Sequence, residues 1–313
     1  MTLTGQQKSE LVAIALEGVR FDEPMTSHTT IGIGGPSDVL VRPRDTEMLK
    51  AIMHWAVERE VPYLFLGKGS DTLIRDKGVR AIVIQPAEGF ARLERAYENQ
   101  DDVFISAETG VSTATLVHFA FEQGLSGVEG LAGIPGTVGG NVITNAGTTL
   151  GWIADVIEEI TIVDRQLREL SIKRKALEFS YRRLKMPRST AIIKALLKLR
   201  RDDPAKIKEK IDASLEKRKT TQPVGHSTLG CVFRNPQKEG KKFPAAGELI
   251  EEAGLKGVRV GKARVSEVHA NFIINEGGAT ARDVEVLMGL IKEHVKEKFG
   301  VLLEPEIHIV GET

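Results

Sequence analysis

The sequence predicts a protein of mixed α/β or α+β class built as two domains. Three observations predict it: a length of 313 residues, strands and helices that alternate up to Asp202, and a charged segment after which the alternation restarts. Two ordinary domains are a safer expectation at this length than one very large one. With 41% apolar and 27% charged residues, the composition is that of a globular protein able to form a core.

Each element has a local justification. Leu11, Ile14 and Ala15 suggest a short amphipathic helix that ends near Gly18. "DVLVRP" reads as a strand stopped by Pro43, and from Thr46 to Glu58 the apolar set Leu49, Ile52, Met53, Ala56 and Val57 follows helical spacing. "VPYLFLG" reads as a buried strand entering a glycine loop, and "RAIVIQP" and "DVFISAETG" as further strands. "TATLVHFAFEQG" is a helix stopped at Gly124. The glycine-dense stretch Gly124 to Gly147 sustains neither regular helix nor strand for long, because glycine at this density costs too much backbone entropy. Strands return at "VIEEITIVD" and "TAIIKALLKL".

"RRDDPAKIKEKIDASLEKRKTTQP" is a charged helix suited to bridging two domains, which places the boundary at residue 202: domains 1–202 and 203–313. Beyond Gln222 come a strand at Cys231 to Phe233, a helix around "AGELIEEAG", and strands at "VRVGKARVS" and "NFIINEG". A helix from Thr280 to Phe299 and a last strand, "LEPEIHIV", close the chain. There is no internal repeat and no low-complexity stretch.

Composition excludes several functions. Lys+Arg and Asp+Glu balance at 43 each, so no global field draws nucleic acid or an anionic membrane, and a phosphate-bearing ligand must be held by local groups. A single cysteine excludes an intrachain disulfide and a Cys-rich metal site, so no metal centre is expected, and it suits a reducing compartment. The N-terminal residues lack a basic n-region and an apolar run, and no apolar stretch is long enough to span a bilayer, so a cytoplasmic protein is expected.

Four places could carry chemistry. "LFLGKGSDTLI" follows a strand with Gly67, Lys68, Gly69, Ser70 and Asp71, where glycine lets backbone N–H groups turn inward around an anion. Taken alone it is an ordinary glycine turn. No helix follows at the spacing a Rossmann fingerprint requires, and the Asp71 carboxylate is expected to face away from a pyrophosphate. "GIPGTVGG" is more informative, because so many glycines suit a loop whose backbone approaches a ligand where any Cβ would collide. "YRRL", Tyr181 to Leu184, sets an aromatic beside two arginines, and strand alternation would put Glu304 and Glu306 on one face. Read alone, the arginines are a surface pair, the acids a solvated edge, and the lone Cys231 a small buried hydrophobe.

Seven segments in order resemble the MurB family of UDP-N-acetylenolpyruvoylglucosamine reductases: "TTIGIGG", "LGKGSDTLIRDKG", "GLSGVEGLAGIPGTVGGNVITNAG", "YRR", "GCVFRNP", "AGELIEEAGLKGVRVGKARVSEVHANFIIN" and "LEPEI". They cover nearly the whole chain. The resemblance implies an α+β fold: a two-lobed FAD-binding region of the vanillyl-alcohol-oxidase (PCMH) type, then an α+β substrate-binding domain whose last strand returns to the active site. It implies that NADPH reduces FAD and that the enolpyruvyl group of UDP-N-acetylglucosamine-enolpyruvate is then reduced to UDP-N-acetylmuramate, in a monomer with no nucleic-acid or membrane partner. Carried over by motif, Gly67–Asp71 and Ile134, Pro135, Gly136, Thr137, Gly139 and Gly140 would hold the cofactor, with Asn145 and Gly147 of "NAG" beside them. Arg182 matches the family's active-site arginine, Glu306 its catalytic glutamate, and Cys231 the position of its proton donor. Lys219 and Asn235 are expected at the uridine diphosphate.

The residue types suit that chemistry. Hydride addition to an α,β-unsaturated carboxylate builds an enolate, which an arginine fork and a protonated glutamate stabilise. Burial would have to raise the Glu306 pKa for that role. The sequence departs from the family at Cys231, usually serine, at Asp71, more often asparagine, at His308, often arginine, and at "NAGTTLG", more commonly "NAGAYG". A thiol, with a reference pKa of about 8.5, is a far stronger acid than an alcohol and remains a feasible donor while protonated. No tyrosine-bearing insertion follows "YRRLKMP", as in the subclass without a substrate-covering tyrosine loop. Two other readings stand beside this one: a different FAD-linked oxidoreductase or oxidase on the same scaffold, and a nucleotide-sugar binder that has lost catalysis.

Overall fold

A computed structural model describes residues 3–187, 189–237 and 243–313. The chain forms two compact units: residues 1–21, 39–68 and 81–217 make the first, and residues 22–38, 69–80 and 218–313 the second. The division thus falls after Lys217, beyond the expected boundary at 202, and two earlier segments join the C-terminal one. Helix Pro204–Thr221 explains the shift. Its Ile207 is buried, and Lys210 pairs with Glu129 and Asp202, so most of the helix belongs to the first unit.

The first unit has two cores. One surrounds the antiparallel sheet ordered Glu169–Lys173, Ile157–Val163, Ala191–Arg201, Asp102–Glu108, Leu93–Glu98, with the short strand Leu125–Ser126 also paired to Ala191–Arg201. Helix Thr113–Glu122 buries Leu116, Val117 and Ala120 into it. The other core collects Leu11 and Ala15 from helix Gly5–Ala15 and Leu49, Ile52, Met53 and Ala56 from helix Thr46–Glu58. Both helices lie where their periodicity put them. Burying each large aliphatic chain of this kind contributes about 1.5–3 kcal/mol. Strand Tyr63–Phe65 is half-buried where "VPYLFLG" predicted a buried strand. It is the edge of a sheet ordered Val19–Pro24, Pro36–Val41, Val79–Ile84, Tyr63–Phe65, so only one side has a strand neighbour.

In the second unit, strands Thr228–Cys231, Phe272–Asn275, Ala263–Val265 and Arg259–Val260 form an antiparallel sheet in that order. Helices Ala246–Glu252 and Ala281–Phe299 add Leu249, Ile250, Val284, Leu287, Ile291 and Val295 to its core. Thr280 caps the longer helix through a capping box with Asp283, and Gly300, at φ +68°, ends it. The strand expected at Cys231 to Phe233 lies earlier, at Thr228–Cys231. The last strand is shorter than "LEPEIHIV" suggested: only His308–Val310 is regular, paired in parallel with Thr72–Ile74. Pro305 accounts for this, because a residue without an N–H cannot continue a ladder.

The glycine-dense stretch is held from inside. It contains a 3-10 turn, Glu129–Leu131, and a short α-helix, Val138–Ile143, which the sequence did not suggest. Glu129, 5% exposed, accepts the Ser126 hydroxyl and the Gly127 amide, both at 2.6 Å, and lies 3.3 Å from the Lys210 ammonium. Burial opposes its charge, but those hydrogen bonds and the lysine outweigh it, and the Glu129 pKa is lowered from its ordinary 4.5. A carboxylate with a lowered folded-state pKa stabilises the fold above its unfolded value, and that stabilisation is lost as pH falls. Glu129→Gln is therefore expected to lower the melting temperature at neutral pH. It should also flatten the loss of melting temperature on acidification below pH 4.5, as a pH series of thermal melts would read.

Candidate active site

In the first unit the two predicted glycine loops meet. A Cβ on Gly67 would lie 3.1 Å from the Thr137 hydroxyl, so the first loop runs bare against the second. Gln85 fixes this approach by donating to the Gly67 carbonyl at 3.0 Å, while Arg42 donates to the Gln85 side chain at 3.0 Å. Lys68 is exposed beside it. Thr137 caps helix Val138–Ile143 and accepts the Gly140 amide at 3.4 Å. The Val138 and Gly139 amides donate to Val111 and Thr109 carbonyls at 2.9 and 3.0 Å. An anion at this place would thus meet the turn Ile134–Thr137 rather than the amides that open the helix.

Several glycines of the dense stretch serve packing rather than ligand approach. A Cβ on Gly139 would fall 1.8 Å from the Thr109 hydroxyl, and one on Gly147 would fall 2.5 Å from the Gly151 carbonyl. Glycine density alone therefore overstates the ligand-facing surface. Gly140 is exposed, and Pro135 and Ile134 are exposed and half-buried.

Arg182 occupies a strained turn. Phe179–Ser180 pairs with Arg183–Leu184, so Tyr181 and Arg182 form a two-residue hairpin loop. Arg182 has φ +57°, a region that long L-residues adopt at a cost and that recurs at functional sites. Its guanidinium lies over the Trp152 ring at 5.3 Å and the Tyr181 ring at 5.8 Å, and Nη1 donates to the Gly147 carbonyl at 3.4 Å. The Asn145 side chain links this hairpin to the helix Ile153–Val156. Nδ2 donates to the Ser180 carbonyl at 3.0 Å and Oδ1 accepts the Ala154 amide at 3.4 Å. Sequence reasoning missed Trp152, whose only signal was its place five residues after the "NAG" glycine.

In the second unit, Gly69 is buried, and its carbonyl accepts the Thr30 amide at 3.1 Å. Thr30 also donates its hydroxyl to the Thr228 carbonyl at 2.6 Å, tying "TTIGIGG" to strand Thr228–Cys231. Ser70 and Asp71 are half-buried. Asp71 accepts the His308 amide on its carbonyl at 2.8 Å and the Thr72 hydroxyl on its carboxylate at 3.2 Å.

Cys231 ends its strand after a bulge. Thr228 is opposite Ile274 and Cys231 opposite Phe272, one residue too many on the first strand, and Gly230 takes up the excess at φ +73°. Next, Phe233 faces Pro305 as an antiparallel bridge. The hydrogen bonds come from the flanking residues: Arg234 N–H to the Glu304 carbonyl at 2.9 Å, and Glu306 N–H to the Val232 carbonyl at 2.8 Å. Pro305 thus stands at the non-hydrogen-bonded pair, where a missing N–H costs nothing. This register brings the Cys231 segment alongside Glu306, which is half-buried, while Glu304 is exposed. Asn235 accepts the Ala246 amide at 3.0 Å and so anchors the start of helix Ala246–Glu252. Lys219 is exposed in the last turn of helix Pro204–Thr221.

Comparison with known proteins assigns the class and then the family. Residues 37–166 match a family model described as an FAD binding domain, which makes the first part of the chain a flavoprotein fold of the PCMH type. Residues 222–310 match the model for the UDP-N-acetylenolpyruvoylglucosamine reductase C-terminal domain. The UDP-N-acetylenolpyruvoylglucosamine reductase of Geobacter sulfurreducens is 43% identical over 291 residues, 93% of each chain. That of Desulfosudis oleivorans is 38% identical over 309 residues, 96% of this chain and 97% of its own. The solved structure of MurB from Thermus caldophilus superposes with a TM-score of 0.76 at 35% identity, over 92% of this chain and 97% of that one. The chain belongs to the MurB family of UDP-N-acetylenolpyruvoylglucosamine reductases.

The residues present fit an FAD phosphate. A side chain at 67 would press on Thr137, and the exposed Lys68 would supply a cation beside it. Asn145→Ala leaves the Ser180 carbonyl and the Ala154 amide without their partner, so unfolding free energy is expected to fall by about 1–3 kcal/mol. Urea denaturation of the purified variant measures it; a change within error would mean that the hairpin holds without Asn145.

Proposed function

We propose that this chain is an NADPH-dependent flavoenzyme that reduces the enolpyruvyl group of UDP-N-acetylglucosamine-enolpyruvate to UDP-N-acetylmuramate, in peptidoglycan synthesis. Membership of the family supports the reaction. The observation that carries the residue roles is the register of Val232 against Glu306, which sets a thiol-bearing segment beside a carboxyl-bearing one. The FAD-binding region, expected over residues 1–202, would be carried chiefly by the first unit, and the substrate-binding domain, expected over 203–313, chiefly by the second, with its last strand returning to the active site. NADPH chemistry and a lone cysteine suit the cytoplasm. No described helix is long and apolar enough to cross a membrane. The enzyme acts as a monomer, without nucleic acid.

Gly67, Lys68, Gly69, Ser70 and the turn from Ile134 to Thr137, with Gly140, would hold the FAD. When bound, FAD supplies a two-electron carrier that takes hydride from NADPH and delivers it to the substrate. The remaining work falls to this chain. Addition of hydride at the β-carbon places negative charge on the α-carbon and the substrate carboxylate. Arg182, held by its turn and by two aromatic rings, meets that charge with a fixed fork of donors and needs no reorganisation as it develops. Glu306, as a carboxylic acid, adds a hydrogen bond to the same oxygens. The Cys231 thiol then gives its proton to the α-carbon, so hydride and proton add across the double bond, and the thiolate is reprotonated from solvent. Lys219 and Asn235 contribute to the diphosphate site.

An anaerobic absorbance titration tests cofactor, donor and acceptor together. The purified or reconstituted protein is expected to be yellow, to bleach with NADPH and to regain colour with the enolpyruvyl substrate. No flavin after reconstitution, or colour returning only with oxygen, overturns the reading. Cys231→Ser should keep substantial activity. Cys231→Ala should lose about 10²–10⁴-fold in the substrate half-reaction while reduction by NADPH survives. Full turnover in Cys231→Ala would return the residue to a packing role.

A further inference from the structure

We propose that Asn271 is a positioning residue for proton delivery: its side-chain amide stands in for a missing strand and holds the register that pairs Val232, the residue after Cys231, with Glu306. The proposal rests on the roles given above to Cys231 and Glu306. Asn271 is 3% exposed, and both ends of its carboxamide are engaged by one residue. Oδ1 accepts the Phe233 amide at 2.9 Å, and Nδ2 donates to the Phe233 carbonyl at 2.8 Å. Its own backbone carbonyl accepts the Val232 amide at 2.9 Å.

The need for such a residue follows from the path of the chain. Strand Phe272–Asn275 pairs with Thr228–Cys231 only as far as Phe272 opposite Cys231. Immediately before it the chain turns. The Ser266 hydroxyl accepts the Val268 and His269 amides, and His269 accepts the Phe272 amide on its carbonyl and the Asn271 amide on Nδ1. On this edge, among the described residues, no strand continues alongside Phe233, whose N–H and C=O are buried and must be paired. A carboxamide presents one acceptor and one donor side by side, the pattern of a strand edge. Among the natural side chains asparagine and glutamine have it independently of pH, and asparagine has the shorter reach.

The other edge of Val232–Arg234 bonds Glu304 and Glu306. The segment after the thiol is therefore clamped on both sides, one of them by a single residue, whose backbone carbonyl holds Val232 and whose carboxamide holds Phe233. Its loss frees the segment to slip, and a slip of one residue is about 3.3 Å and changes the face presented. Delivery of a proton to carbon tolerates far less, since a misplacement of about 1 Å can cost about 10²-fold.

The test uses the FAD-loaded enzyme, with Thr280→Ala as a control that removes a helix cap in the same unit and does not touch this register. Asn271→Ala is expected to reduce with NADPH at a rate within about twofold of the parent, and to be reoxidised by the enolpyruvyl substrate about 10²-fold more slowly. Thr280→Ala should lower the melting temperature and leave both rates unchanged. Asn271→Asp keeps the acceptor and regains the donor only when protonated, so its substrate half-reaction should recover as pH falls. This variant also serves if Asn271→Ala fails to fold. Cys231 is the single cysteine, so the pH profile of its alkylation by iodoacetamide gives a second readout that needs neither flavin nor substrate. That profile should shift in the Asn271 variants and not in Thr280→Ala. A parental substrate half-reaction in a folded Asn271 variant, with no pH rescue in Asn271→Asp and an unshifted alkylation profile, overturns the inference. If the parent itself is not reoxidised by the enolpyruvyl substrate, the functional reading fails instead, and alkylation still decides whether Asn271 positions the thiol.

Discussion

The Asp76 carboxylate accepts the amides of Ala281 at 2.7 Å and Arg282 at 3.0 Å, capping a helix that begins 205 residues further along the chain. Beside it, Arg75 forks onto Glu285 of the same helix and donates to the Gly311 carbonyl. Thr72–Ile74 accepts the last strand, His308–Val310, in parallel register. Segment 69–80 is thus the piece on which the second unit depends, because the C-terminal helix and the final strand both close onto it. A carboxylate at a helix N-terminus meets exposed N–H groups and the positive end of the helix dipole, so one side chain fixes the helix against a remote segment. Closing a chain loop of that length costs only modestly more than closing a short one, which makes the arrangement thermodynamically cheap although it is slow to find.

With that frame in place, the groups assigned to chemistry sit on backbone whose geometry is overdetermined. Gly230 provides a bulge, Asn271 closes one edge of the following segment, and Pro305 occupies the one position of the facing segment that needs no donor. Arg182 is treated in the same way in the first unit. A left-handed residue at a hairpin tip is held by Asn145 below and two rings beside its guanidinium. Strain of about 1–3 kcal/mol persists only where surrounding contacts over-determine it. In both places polar side chains complete backbone hydrogen bonding.

The replacement of serine by Cys231 fits such a site. A thiol is a better acid than a hydroxyl but a weaker hydrogen-bond donor, so it relies more on placement than on its own bonds. The departure at Asp71 is absorbed locally: the carboxylate takes the Thr72 hydroxyl and the carbonyl takes the His308 amide.

Periodicity in the sequence was enough to place helices Thr46–Glu58 and Ala281–Phe299 and strands such as Asp102–Glu108, because an apolar stripe of the right period has one stable way to be buried. The motifs, taken together, were enough to identify the family. They did not reveal that residues 22–38 and 69–80 join the C-terminal unit, since pairing between segments some 200 residues apart leaves no local pattern. Nor did they separate packing glycines such as Gly139 from ligand-facing ones, which depends on what a Cβ would strike in three dimensions. Asn145 and Asn271 show the same limit. Neither was legible as a partner of remote backbone, because a buried amide that completes such backbone is recognised only when that backbone is in place. Local propensity and motif chemistry are written along the chain, whereas the satisfaction of buried polar groups is a property of the closed tertiary structure.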